Sequence, residues 1–224
     1  MDWTVFGLQR SGTNYLETLI KKSVIPKPTF RLAYEHEGVW KHAFDIPYDI
    51  ETKRARRPRT IREGHGAHII ETYDYWIARL REVNAVLITK HPFTWIDSVR
   101  RKNIDMKRFQ KYDKGEDAYM YAEIYRDHAL FWLEQMRHQN IYHLRYEELL
   151  ADKKHYLTKI GEHFDVECEP FAEDLHKVSM SKHFKPEDRD KYIKCETNLT
   201  TEQQKEVIKI IGKDILVNGY GYRL

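Results

Sequence analysis

Short apolar runs alternate with amphipathic stretches along most of this chain. Residues 3–8 form an apolar run that predicts a strand. Residues 13–22 follow with Leu16, Leu19 and Ile20 on one face, the spacing of a helix that Pro26 and Pro28 then end. A short strand is expected over 38–42, and residues 45–66 read as irregular, with prolines at 47 and 58 and glycines at 64 and 66. Ile69, Ile70, Tyr73, Trp76, Ile77 and Leu80 repeat at helical spacing and predict a helix over about 68–83. The unbroken apolar run 85–90 suits a strand covered on both faces, and Pro92 suits the first turn of the next helix. Residues 103–116 are polar and predict a flexible connection or lid. A long aromatic-rich helix is expected over 117–138, a strand over 141–145, and helices near 147–163, 170–177 and 201–212. Thr200 and Gln203 fit a capping box for the last helix, while 178–198 reads as a charged loop. Strands alternating with helices predict an α/β fold with a parallel central sheet flanked by helices.

Composition narrows the class. The chain has 224 residues, 41% hydrophobic and 33% charged, which is enough for one domain with a true core. We expect a single domain over 1–224, with irregular insertions near 45–66 and 103–116. The formal charge of +3 excludes a global polycation. Locally, Lys53, Arg54, Arg56, Arg57, Arg59 and Arg62 cluster within ten positions. That run reads as a solvated loop or as a rim attracting an anion. It lacks the interleaved aromatics of a nucleic-acid surface, so no nucleic-acid partner is expected. Cys168 and Cys195 make neither a disulfide framework nor a metal-ligand spacing. No apolar stretch is long enough to span a membrane, and no secretion signal opens the chain. The expectation is a soluble, cytoplasmic protein. Its oligomeric state is not readable from the sequence.

The chemistry concentrates first in Val5-Phe6-Gly7-Leu8-Gln9-Arg10-Ser11-Gly12-Thr13-Asn14-Tyr15-Leu16. A strand, a turn of small residues and a helix start make an anion cradle, because the first turn of a helix carries unpaired N–H groups and the positive end of the dipole. The common phosphate loop is G-x-x-x-x-G-K-[ST], with Lys on the phosphates and a hydroxyl on magnesium. Gly7 and Gly12 keep the glycine spacing, but Thr13 replaces the Lys and Asn14 the hydroxyl residue. The cation is Arg10 instead. The loop is therefore built for an anion with no metal partner, and a P-loop kinase of small molecules or nucleotides becomes the alternative.

Two further segments carry the argument. Residues 85–92 run from an apolar strand into Lys90-His91-Pro92, with Ser98 eight residues after Lys90. Residues 141–150 run from a strand into Tyr146-Glu147-Glu148-Leu149. With Arg10-Ser11-Gly12-Thr13-Asn14-Tyr15, these resemble, in order, the three landmarks of sulfotransferases that use 3′-phosphoadenosine 5′-phosphosulfate (PAPS). The resemblance covers residues 5 to about 164 and weakens beyond. It implies a P-loop NTPase-like fold and transfer of a sulfuryl group to a hydroxyl or amine of a small-molecule or glycan acceptor, with PAPS as donor and no metal required.

The resemblance also implies roles. Arg10, in place of the family's Lys, would hold the donor's 5′-phosphate and bridging oxygen, with Ser11, Gly12, Thr13 and Asn14 around the same phosphate. Tyr15 falls where the family stacks an aromatic on adenine. Lys90, in place of the family's Arg, and Ser98 would converge on the 3′-phosphate, with Arg100 and Arg101 as further candidates. Tyr146 would meet the adenine edge. The acceptor's base is expected at His42 in Trp40-Lys41-His42, with His65, His68, Glu35, Glu37 and Glu71 as rivals. A family member that binds the nucleotide without turnover stays open, because Arg10 and Lys90 both depart from the pattern. The stripe Tyr119, Tyr121, Tyr125, Phe131 and Trp132 reads as core, or else as an aromatic groove for the acceptor.

Overall fold

The structure is a computed structural model that describes residues 2–8, 10–30, 48–49, 54–55, 60–62, 68–70, 80–105, 116–171 and 188–223. At the centre of the described residues lie four parallel strands: β1 (Asp2–Phe6), β3 (Thr29–Phe30), β8 (Val83–Thr89) and β9 (Ile141–Arg145), in the order β3-β1-β8-β9, with the two-residue β2 (Val24–Ile25) outside this sheet. The register sets Phe6 opposite Leu87, and Leu87 opposite His143. Helices flank this sheet: α1 (Thr13–Ser23), α2 (Pro92–Asp105), α3 (Glu116–His138), α4 (Tyr146–Ala151), α5 (Lys153–Phe164), α6 (Asp188–Ile193) and α7 (Thr201–Ile211). A π-helical turn over Ile215–Gly219 follows.

The alternation of side chains along β8 divides the core in two. Ala85 and Leu87 join Phe6, Trp95, Ile96, Tyr125, Trp132, Val207 and Ile211 on one face. Val86 and Ile88 join Val5, Leu16, Ile20, Leu144, Leu149 and Ile160 on the other. Both faces of the sheet are thus covered, which is why β8 carries no polar alternation. Tyr121, Tyr125, Phe131 and Trp132 are buried in the first cluster, as core side chains.

Several element ends fall where local chemistry puts them. Pro92 is the first residue of α2. Thr200 and Gln203 form the expected reciprocal cap on α7, at 3.2 and 3.0 Å. Other readings need correction. The predicted helix from 68 does not begin there, because β7 (His68–Ile70) pairs antiparallel with β6 (Thr60–Arg62). The stretch expected to be irregular also holds β4 (Tyr48–Asp49) paired with β5 (Arg54–Ala55). The charged loop over 178–198 contains α6. The basic cluster over 53–62 is described only in part, and its side chains, like residues 38–42 and 106–115, lie outside the described residues.

The strand order fixes where a ligand can sit. From β1 the chain passes through α1 to β3 at one edge, while from β8 it passes through α2 and α3 to β9 at the other. Neighbouring strands whose connections leave in opposite directions open a crevice beyond their carboxyl ends. The turns after β1 and β8 are the two that the sequence marks for anions.

Candidate functional site

The first turn is made of backbone. Ser11 N–H donates to the Leu8 carbonyl at 3.1 Å, and the Ser11 hydroxyl donates to the same oxygen at 2.7 Å. Ser11 is therefore a brace within the loop in this structure. Gly12 takes φ +100° just before α1, a conformation suited to glycine, and no side chain caps the helix. Nor does an acidic residue occupy the first turn of α1. The positive helix end thus has neither a side-chain cap nor an acidic residue in its own first turn. Arg10 also has a positive φ, 73°, which an L-residue adopts only at a cost. Its Nε is buried without a hydrogen-bond partner among the described residues. Thr13 is buried, Asn14 is exposed and Tyr15 is half-buried.

Side chains make up the second turn. Lys90 leaves the end of β8 with only 3% of its surface exposed, and its carbonyl accepts from the Tyr125 hydroxyl at 2.9 Å. The ammonium donates to Ser98 Oγ at 2.8 Å, and Ser98 in turn donates to the Thr94 carbonyl at 2.8 Å. The remaining faces of the ammonium carry the rings of Tyr192, 3.9 Å away, and Tyr146, 5.2 Å away. Burial lowers the Lys90 pKa to about 7; Glu147 resists the shift, while the positive charges of Arg10 and Arg101 add to it. The cations of both turns therefore act on one neighbourhood.

Tyr146 is the physical link. A Cβ on Gly12 would come within 2.5 Å of its ring, so the ring lies directly on the glycine. The same ring faces Lys90, and meets Tyr15 edge-on at 6.3 Å and Tyr192 edge-on at 5.7 Å. Behind it, Glu147 Oε1 accepts from His91 N–H at 2.9 Å, which ties the β9–α4 junction to the start of α2. Desolvation raises the Glu147 pKa, against the pull of that backbone N–H and of Lys90.

The structure thus brings together Arg10, Gly12, Tyr15, Lys90, Ser98 and Tyr146 from the sequence-predicted set. His42, Glu35, Glu37, His65 and Glu71 lie outside the described residues, and His68 is described only as part of strand β7. Sequence reasoning missed Tyr192, whose six-residue helix α6 carries no amphipathic repeat to signal it. It also missed Asp97, whose carboxylate accepts from Thr197 Oγ1 at 2.9 Å and Asn198 N–H at 2.7 Å, fastening the segment after α6 to α2. Arg101, one of the further candidates, donates to the Tyr192 hydroxyl at 3.1 Å. Two histidines also line this edge of the sheet. Burial holds His91 and His143 at pKa values of about 4, so both are neutral at neutral pH. His143 Nε2 and the Tyr222 hydroxyl both meet Thr89 Oγ1, at 2.9 and 3.0 Å.

Such a site can hold an anion at each end. One end offers helix N–H groups and a guanidinium, the other an ammonium and a hydroxyl, with an aromatic face between them. Among the described residues no helix is long and apolar enough to cross a membrane.

No protein-family model and no curated protein matches the sequence. Among solved structures the chain is similar to the sulfotransferase domain from the Synechococcus PCC 7002 olefin synthase, at 18% identity and a TM-score of 0.43. The match covers 63% of this chain and half of that one.

Proposed function

We propose that this protein is a sulfotransferase that takes its sulfuryl group from PAPS and passes it to a hydroxyl or amine of a small molecule or glycan. One observation carries the reading. The Tyr146 ring lies on Gly12 and faces Lys90, so two cationic turns marked independently in the sequence form one site. A nucleotide with phosphates on both sides of its ribose fits that layout. Arg10 and the N-terminus of α1 hold the 5′ end, with Ser11, Thr13 and Asn14 as part of the loop. Lys90 and Ser98 hold the 3′-phosphate, and Tyr15 and Tyr146 flank the base. The Arg10 Nε, buried with no hydrogen-bond partner among the described residues, supports a bound anion, since a buried donor without a partner is costly.

In the reaction, a bond forms from the acceptor oxygen or nitrogen to sulfur. The bond from sulfur to the 5′-phosphate oxygen breaks, and its electron pair leaves on that phosphate. Arg10 and the helix end stabilise the charge that develops there. The acceptor's proton goes to a base, which this reading assigns to His42 on the strength of Trp40-Lys41-His42 alone. Positioning and electrostatics suffice for the step, so no metal is called for.

Calorimetry with 3′-phosphoadenosine 5′-phosphate (PAP) tests the proposal against ATP with magnesium. PAP is expected to bind without metal. Ser98→Ala should weaken it about fivefold, the worth of one hydrogen bond, and Arg10→Ala about a hundredfold. Wild-type affinity in both variants, or preference for magnesium-ATP, refutes the reading.

A further inference from the structure

Lys90 is enclosed before any anion arrives. Its ammonium is covered by the Tyr192 ring at 3.9 Å, and the hydroxyl of that same tyrosine accepts from Arg101 at 3.1 Å. One side chain thus engages two cations at once, through its π-face and through its oxygen. We propose that Tyr192 is a built-in cap that occupies the anion position of the Lys90–Ser98–Arg101 cluster and must rotate away when a phosphate binds there. The inference rests on the reading above, that this cluster receives the 3′-phosphate.

The surroundings suit a side chain that moves on a backbone that does not. Before Tyr192, Arg189 donates to the Leu150 carbonyl through Nε at 2.9 Å and through its terminal nitrogen at 2.6 Å. After Tyr192, Asp97 holds Thr197 and Asn198. Helix α6 is pinned at both ends, so uncovering Lys90 calls for rotation of the tyrosine rather than displacement of the helix. The exchange gives up a cation–π contact, a hydrogen bond to a neutral oxygen and the edge-on packing against Tyr146, and it gains charge-assisted bonds from two cations to a phosphate dianion, each about twice as strong as a neutral one. A nucleotide lacking the 3′-phosphate has nothing to offer in exchange and leaves the cap in place. Tyr192 thereby becomes a specificity-determining residue for the bisphosphate.

Two readouts test this. Tyr192 should be poorly nitrated by tetranitromethane in the free protein and become reactive when PAP saturates the site, as read by mass spectrometry. Protection by PAP, or no change, overturns the cap and makes Tyr192 a wall. In calorimetry, Tyr192→Ala should bind PAP about fivefold tighter than wild type while its affinity for AMP is unchanged, and Tyr192→Phe should lie between, because it keeps the ring and frees Arg101. Equal or weaker PAP binding in both variants overturns the proposal. Should wild type bind no PAP, the sulfotransferase reading falls by itself. The cap is then judged by calorimetry with inorganic phosphate, which should bind Tyr192→Ala about fivefold tighter than wild type. Equal or weaker phosphate binding in Tyr192→Ala overturns it.

Discussion

The two turns beneath Tyr146 are made of different materials. After β1 the chain presents backbone: a glycine at positive φ, an uncapped helix and a braced serine. After β8 it presents side chains: an ammonium, a hydroxyl and two aromatic rings gathered from the turn itself, α2, α4 and α6. The first is held by its own backbone, with Tyr146 lying on Gly12, whereas the second is closed over a cation with 3% exposure. Backbone sites are ready-made, since their donors cannot collapse onto one another. A site of side chains pairs with itself when empty, and its ligand must compete with that pairing. On the reading proposed above, one crevice holds a half built of backbone and a half that its ligand has to open.

Gly12→Ala should break both halves together. The new methyl meets the Tyr146 ring and forces a positive φ on an L-residue, at a cost of about 2 to 4 kcal/mol in urea denaturation and with PAP binding lost. Normal stability with normal binding would separate the turns.

Lys90→Met should divide them. PAP affinity is expected to fall at least about a hundredfold, since a charge-assisted contact disappears. Stability should respond with the opposite sign at neutral pH, because a desolvated cation is replaced by an apolar chain of similar length. The pH dependence gives a finer test. Folding lowers the Lys90 pKa from 10.5 to about 7, so between those values the unfolded chain holds the proton and the folded one does not. Wild-type stability should accordingly rise as pH increases across that window, and the Met variant should lack the rise. A parallel pH profile in the two proteins would detach Lys90 from the effect.

The same contrast explains what the sequence disclosed. The loop after β1 was legible because spacing alone defines it: an apolar run, two glycines and a helical repeat within a dozen residues. The run 85–90 was legible as a doubly covered strand, and Pro92 marked the start of α2. Lys90 and Ser98 could be paired through the family resemblance, which implies a strand-end cation and a helix hydroxyl eight residues later on one phosphate. Tyr192 could not, because its approach to Lys90 depends on the path of the chain through α3, β9 and α4. His68-Ile69-Ile70 misled for a different reason. A short apolar pair suits strand and helix periods equally, and pairing with residues 60–62 decides it.

Arg10 carries one more implication. An arginine held at φ 73°, with an Nε buried and unsatisfied among the described residues, is a poor choice for folding, and glycine would occupy that backbone more comfortably. Arg10→Gly should therefore gain up to about 1 kcal/mol in thermal or urea unfolding while giving up the anion. On the proposed reading, the chain keeps Arg10 for its work rather than for its shape.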